Sequence, residues 1–429
     1  MKFELQETIG KYPVIKEIGS GATSRVYLAR DPFANRDVAI KVFLFAQDTD
    51  PMTERMTHKA FVTEASLAGK LNHPHIVDIF DAVVEPDYSY LVMEYVPGVT
   101  LEAHSNVDTL LPLGKVVEII FKCVRALEYA FQHGVIHRDI KPGNIMLSHT
   151  GETKVGDFGA SFQQRHGQET TQISGVGSPA YMSPEQIRME TLTQQTDIYS
   201  LGVTMYRLLT GRLPYNASTH AGLTYAILNT PPPHINKLRP DLPELLSSIV
   251  MKAIAKDLAD RYPSWLELGK DLSQAFTTLR LAGESVSDSE KFNKLRDMPF
   301  FQDFGDVALW EAIRIGRWIS FDDETVVIKE GDQGDSVYVL VEGEVGVTLM
   351  GRALTTITPG HCFGEVLYFA GAGGRRLTTI MAMEKITVLD IRSDALRAAT
   401  DGCQVAFNKA FMRVLIDRLS QANLKLAKR

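Results

Sequence analysis

The run His137-Arg138-Asp139-Ile140-Lys141-Pro142-Gly143-Asn144 brings a carboxylate, an ammonium and an amide into one short segment. An aspartate there can orient and deprotonate an attacking hydroxyl, and the lysine can neutralise a transferring phosphoryl group. The asparagine offers an amide oxygen to a divalent cation. Asp157-Phe158-Gly159 follows, supplying a second cation ligand on a turn after the strand-like Thr153-Lys154-Val155-Gly156. Upstream, Lys41 interrupts the apolar run Val38-Ala39-Ile40. A buried ammonium is costly without a partner, and Glu64 or a polyphosphate are the two candidates. In Ile18-Gly19-Ser20-Gly21-Ala22-Thr23-Ser24-Arg25-Val26, glycines remove the Cβ that would keep backbone N–H groups away from a polyphosphate. Each motif alone also reads as a polar turn, a glycine hairpin or a solvated lysine. All of them in this order do not.

These residues need a scaffold. From about Tyr12 to Leu91 the chain reads as β-rich runs, with one helix-spaced segment carrying Phe61, Ala65, Ala68 and Leu71. After Pro97-Gly98 helical periodicity takes over. Lys115 to Gly134 and Thr196 to Gly211 each carry apolar residues at helical period and stop on glycine. Ala282 to Glu290 is small, polar and acidic, so residues 281–292 read as a linker. Beyond it, short strands with glycine-bearing turns suggest a small β-barrel or jelly roll, closed by an amphipathic tail from Val405 to Arg429.

The bulk properties fit this plan. A length of 429 residues suits two or three domains, and the net charge of -7 gives no general footprint for nucleic acid. Cys123, Cys362 and Cys403 are scattered, as in a reducing compartment. There is no signal-like start and no run of about 18 apolar residues, so no membrane span is expected and the cytoplasm is the default location. His133 and His137 stand four apart, but Gly134 interrupts any helix between them, which sets a metal pair aside.

Residues from about 12 to 280 resemble the eukaryotic-like Ser/Thr protein kinases of the bacterial type. The resemblance implies an α+β, bilobal fold, with a β-rich N-lobe and a helical C-lobe, that transfers the γ-phosphoryl of ATP to protein hydroxyls. Lys41 would hold the α/β-phosphates and pair with Glu64. Asp139 would be the catalytic base, and Lys141 would assist at the γ-phosphoryl and indicate Ser/Thr acceptors. Asn144 and Asp157 would hold Mg²⁺, with Mn²⁺ as the alternative. The segment Ile18 to Val26, with Ala39, would cover the nucleotide. Met93 would stand beside the adenine, the Glu94 carbonyl and Val96 backbone would bond it, and Met146 would lie beneath it. Glu185 would pair with Arg261, and Asp197 would brace the catalytic loop. Ser24 replaces the usual last glycine of the phosphate loop, and Ser178 the usual threonine of the substrate-docking loop. Neither change removes a charged catalytic group.

Arg138, next to the base, is a cation that a phosphate can satisfy. Trans-autophosphorylation in a transient dimer is therefore expected at Thr170 or Thr171, with Ser174 as a third candidate. Residues from about 293 to 425 resemble the cyclic-nucleotide-binding domain, on the turns around Glu330 to Asp335 and on Phe363 to Leu367 running to Thr379. The resemblance implies a site of Gly364, Glu365, Val366, Leu367, Arg376, Leu377 and Thr379, with Glu365 on a ribose hydroxyl and Arg376 on the cyclic phosphate. Leu367 and Leu377 stand where the family carries small residues, and Arg375 offers another register. Binding of cAMP or cGMP, another anion, and a purely structural domain all stay open. A pseudokinase scaffold is the reading from a different class; intact Lys41, Asp139, Asn144 and Asp157 speak against it. A nucleotide-responsive transcription regulator is set aside, since only one helix follows the barrel and no basic face is apparent.

Overall fold

Period-two alternation in β4 (Arg36–Leu44) sends Val38, Ile40 and Val42 to one face and Ala39 and Lys41 to the other. The structure is a computed structural model that describes residues 7–20, 24–44, 65, 69–85, 88–158, 179–280, 288–370 and 375–427. With β1 (Thr8–Ile9), β2 (Tyr12–Ser20), β3 (Ser24–Asp31), β5 (Ile79–Val84) and β6 (Tyr88–Glu94), β4 forms an antiparallel sheet in the order β1-β2-β3-β4-β6-β5. Register sets Lys41 between Val26 and Leu91, and Ala39 opposite Met93. Tyr12, Tyr27, Val38, Ile40, Tyr90 and Val92 fill the core on one side of this sheet. The sheet starts at Thr8, earlier than residue 12, because Thr8 and Ile9 pair with Pro13 and Tyr12.

Helix α1 (Leu113–Gln132) buries Val116, Val117, Ile120, Phe121, Val124 and Leu127, and ends where Gly134 takes φ +77°. Three short strands, β7 (Gly98–Thr100), β8 (Ile145–Ser148) and β9 (Thr153–Val155), form a small sheet in the order β7-β8-β9 next to the segment His137 to Asn144. Helix α2 is the single turn Pro184–Ile187. It is followed by α3 (Gln194–Thr210), α4 (His220–Asn229), α5 (Glu244–Ala253) and α6 (Trp265–Arg280). Gly202 is the close-approach point of α3 and α5: a Cβ there would lie 2.8 Å from the Ala253 Cβ and from Ile254 Cγ2. Gly202→Ala is expected to destabilise the protein by about 1–3 kcal/mol, despite its better helix propensity. Urea denaturation checks this, and an unchanged midpoint would mean that the two helices have slack.

The chain divides into two compact units between Gly283 and Glu284. The 281–292 linker expectation needs correcting, because α7 (Asp288–Arg296) already runs through its last residues. The reason is packing: Phe292 and Leu295 are fully buried, and the Phe292 ring stacks on Trp310 at 4.6 Å. Helix α8 (Asp306–Ile315) leads into two four-stranded sheets. One, ordered β10-β17-β12-β15, contains β10 (Gly316–Phe321), β12 (Ser336–Glu342), β15 (Cys362–Phe363) and β17 (Ile386–Arg392). The other, ordered β11-β16-β13-β14, contains β11 (Val326–Ile328), β13 (Val345–Leu349), β14 (Arg352–Ile357) and β16 (Thr379–Ala382). Leu340, Val345, Phe363, Ile380, Ile386 and Val388 fill the core of this barrel. The short helices α9 (Val366–Ala370) and α10 (Ser393–Arg397) precede α11 (Asp401–Ala427), whose Phe407 and Phe411 pack on Phe300. No helix among the described residues is long and apolar enough to cross a membrane.

Candidate functional site

Asp197, at the start of α3, fixes the loop from His137 to Asn144. Its two carboxylate oxygens accept from the backbone N–H groups of His137 and Arg138, both at 2.7 Å. Burial pushes this carboxyl above its ordinary value; His137 and the two amides oppose that push. Arg138 takes φ +68°, a left-handed conformation that costs a side-chain-bearing residue of order 1 kcal/mol or more. It is held there from both sides, because Gln186 Nε2 donates to the Arg138 carbonyl at 2.8 Å. Gln186 is a functional residue that sequence reasoning missed. Its sequence signal is the capping box with Ser183, where each side chain bonds the other's backbone.

The loop then presents its chemistry. Lys141 Nζ donates to Asp139 Oδ2 at 2.6 Å, and Asn144 Nδ2 donates to the same oxygen at 3.0 Å and to the Asp139 carbonyl at 2.8 Å. The Asp139 N–H donates to His137 Nδ1 at 3.3 Å, so the ring proton is assigned to Nε2, which donates to the Gly156 carbonyl at 2.9 Å. That bond ties the loop to the turn bearing Asp157, and the His137 ring lies 4.5 Å from that of Phe158.

Asp157, at φ +61°, is the second strained residue, and Lys41 ion-pairs with it. Burial raises the Asp157 carboxyl, but the Lys41 ammonium outweighs it and leaves the carboxyl below its ordinary value. The expected partner Glu64 lies outside the described residues, as do Gly21, Ala22, Thr23, Gly159, Thr170, Thr171, Ser174 and Ser178. The structure thus joins Lys41, Asp139, Lys141, Asn144 and Asp157 into one charged cluster. The protein offers two cation ligands there, Asp157 and Asn144. No group of three or more His, Cys, Asp or Glu among the described residues forms a metal cage. That donor set fits a magnesium ion whose remaining ligands are phosphate oxygens and water.

The nucleotide-facing candidates are placed by the strands. Gly19 pairs with Val26 and Ser20 with Arg25 across the β2–β3 hairpin, which brings Ser24 to the start of β3; Ile18 is exposed. The Arg25 side chain is engaged by Glu17 at 3.1 Å. Met93 is the next-to-last residue of β6, paired with Ala39, and Val96 lies in the segment that follows the strand. The Glu94 side chain is held by Lys154 at 2.7 Å. Met146 lies on β8, with its Cε 3.6 Å from where a Gly156 Cβ would sit. Glu185 and Arg261 form a buried ion pair at 2.7 Å, and Thr196 Oγ1 donates to Glu185 at 3.0 Å.

The second unit holds a cavity of about 680 Å³. Gly364, Glu365, Val366, Arg376 and Leu377 line it. Arg376 is the buried arginine, donating to the carbonyls of Gly364 at 3.1 Å and Ser336 at 2.9 Å. Arg375 is exposed and donates to the Gly331 carbonyl at 3.0 Å. Gly334 and Gly364 make the room, since a Cβ at either would lie 2.6 Å from Arg376 nitrogens. Burial works against the Arg376 charge and lowers its pKa, and among the described residues it forms no ion pair. A buried guanidinium without a carboxylate partner suits an anion. Leu377 stands at the cavity wall, 62% exposed, and the Leu367 side chain lies outside the described residues. Thr379 is a correction: its hydroxyl accepts from the Glu330 N–H at 3.0 Å, and Thr378 lines the cavity instead. Strand β16 starts at Thr379, so the alternation turns that side chain away.

A bracing aspartate, a loop bearing an aspartate, a lysine and an asparagine, and a strand lysine tied to a second carboxylate are the arrangement of a protein kinase domain. Residues 12–267 match the protein kinase domain family, and the chain belongs to it. Residues 318–402 match the cyclic nucleotide-binding domain. The chain is 35% identical over 294 residues to the serine/threonine-protein kinase PrkC of Bacillus subtilis, covering 68% of this chain and 45% of that protein. It is 37% identical over 273 residues to the serine/threonine-protein kinase PknB of Mycolicibacterium smegmatis, covering 62% and 43%. The chain thus spans less than half the length of these relatives.

Proposed function

We propose that this chain is a Ser/Thr protein kinase that moves the γ-phosphoryl of ATP to hydroxyls of proteins, its own included. The observation that carries the reading is the charged cluster of Lys41, Asp157, Asp139, Lys141 and Asn144, assembled from segments up to 116 residues apart. Magnesium–ATP, when bound, supplies the transferable phosphoryl group. Lys41 holds the α/β-phosphates, and Asn144 and Asp157 hold the cation. Asp139, with Oδ2 committed to Lys141 and Asn144, takes the acceptor's proton on Oδ1. Lys141 offsets charge at the phosphoryl group as it moves. Val96 and the Glu94 carbonyl bond the adenine between Ala39 and Met146, with Met93 beside it. Autophosphorylation at Thr170, Thr171 or Ser174 brings an anion to Arg138, whose buried Nε has no hydrogen-bond partner among the described residues.

The second unit takes a cyclic nucleotide, cAMP or cGMP, with its phosphate on Arg376 and a ribose hydroxyl on Glu365. Three buried free thiols suit a cytoplasmic setting. The experiment is transfer of labelled phosphate from ATP with Mg²⁺, or Mn²⁺, to the chain and to a generic basic protein, followed by phosphoamino-acid analysis. Label on serine and threonine is expected. An unlabelled chain and acceptor would sink the enzymatic reading, and label on tyrosine alone would sink the acceptor class.

A further inference from the structure

The end of β6 meets β9 through one lysine. Lys154 Nζ donates to Glu94 Oε2 at 2.7 Å and to the Ile76 carbonyl at 3.4 Å. The lysine side chain is 12% exposed and the glutamate 27%, so water screens the pair only in part. A third residue shares the contact. The Asp78 N–H donates to the same Oε2 at 3.3 Å, and the Glu94 N–H donates back to the Asp78 carbonyl at 2.8 Å. Burial raises the Asp78 carboxyl and the Glu94 charge adds to that push, while Lys154 and Arg36 oppose it. Arg36 is engaged elsewhere, 3.4 Å over the Phe80 ring and beside Asp31 at 3.9 Å. His73 and His75 also face Lys154, but burial keeps both rings neutral. Lys154 is therefore the cation in contact with this pair of carboxylates. It also sits in a belt of backbone contacts: the neighbouring Val155 carbonyl accepts from the Val77 N–H at 2.9 Å, and its N–H donates to the His75 carbonyl at 2.8 Å.

We propose that Lys154 is a positioning residue for ATP: by neutralising Asp78 and Glu94 it holds the end of β6 where the Glu94 carbonyl meets the adenine. The inference rests on reading the first unit as an ATP-dependent kinase. Without the lysine, two like charges face one another at the strand end, and the readiest relief is for that end to part from Asp78. The Glu94 carbonyl moves with it, and its bond to the adenine weakens. The hydrogen bonds of Lys154 go to Glu94 and Ile76, and none reaches the loop bearing Asp139 and Lys141 among the described residues. The loss therefore falls on nucleotide affinity and spares turnover.

The test uses the full chain, with calorimetry against magnesium–ATP and steady-state kinetics at about pH 8 and about pH 6, each variant read as a ratio to wild type. Lys154→Met is expected to weaken ATP binding and raise KM for ATP about five- to tenfold at about pH 8, with kcat within about twofold. A proton on one carboxylate relieves the repulsion, so that ratio should shrink toward parity at about pH 6. Asp78→Asn/Lys154→Met, which leaves no like-charged pair, should recover most of the affinity. Should the methionine variant fail to fold, Lys154→Gln also withdraws the charge and carries the same expectation at both pH values. Wild-type affinity for ATP in the variant without the charge overturns the inference and leaves the kinase reading standing. A loss that is equal at both pH values, that falls on kcat, or that the Asp78 change fails to reverse overturns it as well, since packing alone would do that. A wild-type chain that neither binds ATP nor transfers phosphate sinks the kinase reading, and the positioning role goes with it.

Discussion

Asp139→Asn is expected to lower kcat for phosphoryl transfer by about 10²–10⁴-fold, with KM for ATP nearly unchanged. The asparagine matches the shape of the carboxylate, so the loop that Asp197 holds at His137 and Arg138 keeps its form. What disappears is the proposed proton acceptor, together with the anion that holds Lys141 at 2.6 Å. The residues proposed for the phosphates and the cation, Lys41 and Asp157, are untouched, which is why the loss should fall on kcat. Steady-state kinetics on a peptide acceptor measure both parameters. A variant that loses affinity for ATP and keeps its turnover would mean that Asp139 binds nucleotide rather than activating the hydroxyl.

Arg261→Met is expected to cost about 3–5 kcal/mol of stability, because it leaves Glu185 as a buried charge without its partner. Both side chains are at most 3% exposed. Arg261 also donates to the carbonyls of Ala255 and Gln195, so its loss orphans backbone acceptors as well. A fall in Tm on the order of 10 °C, followed by circular dichroism, is the expected readout for a unit of this size. The double variant Glu185→Leu/Arg261→Met should recover much of it, since no charge is then stranded. Acidity gives a second check. Burial raises the Glu185 carboxyl, but Arg261 outweighs it and holds the group below its ordinary value. The pair's contribution is therefore complete above the unfolded glutamate value of about 4.3 and is lost as pH falls through the lower folded value. Wild type and Arg261→Met should converge in that acidic window, and a gap that stays constant there would assign the loss to packing.

The order of motifs from Gly19 to Asp157 is enough to single out Lys41, Asp139, Lys141, Asn144 and Asp157, which the fold brings together, because each charged residue sits in an apolar or turn context that alone would not keep it. The barrel was legible from its glycine turns. The Lys41–Asp157 pair was not, since Asp157 stands 116 residues away and only the fold brings them together. Strand β5 leaves little signal in the sequence, because Asp81 breaks its apolar run and all its residues stay half-buried. The start of α7 was hidden by the polar Asp288-Ser289-Glu290, although Phe292 two residues on is its anchor. Thr379 was misplaced by one position at the mouth of a strand, where a single step reverses the facing of a side chain. Arg418, which ion-pairs with Glu365 at the cavity wall, carries no sequence signal: it is one cation on a long helix, and only the position of that helix makes the pair.

Gly334 and Gly364 carry a consequence for how the second unit could be silenced. The guanidinium of Arg376 occupies space that either glycine would fill with its first side-chain carbon. Gly334 shows no left-handed φ, whereas Gly364 sits at +81°. An alanine at 334 is thus compatible with the backbone and displaces only the flexible end of the arginine. One methyl group at 334 therefore moves the residue proposed to meet the anion and leaves the other cavity-lining side chains as they were.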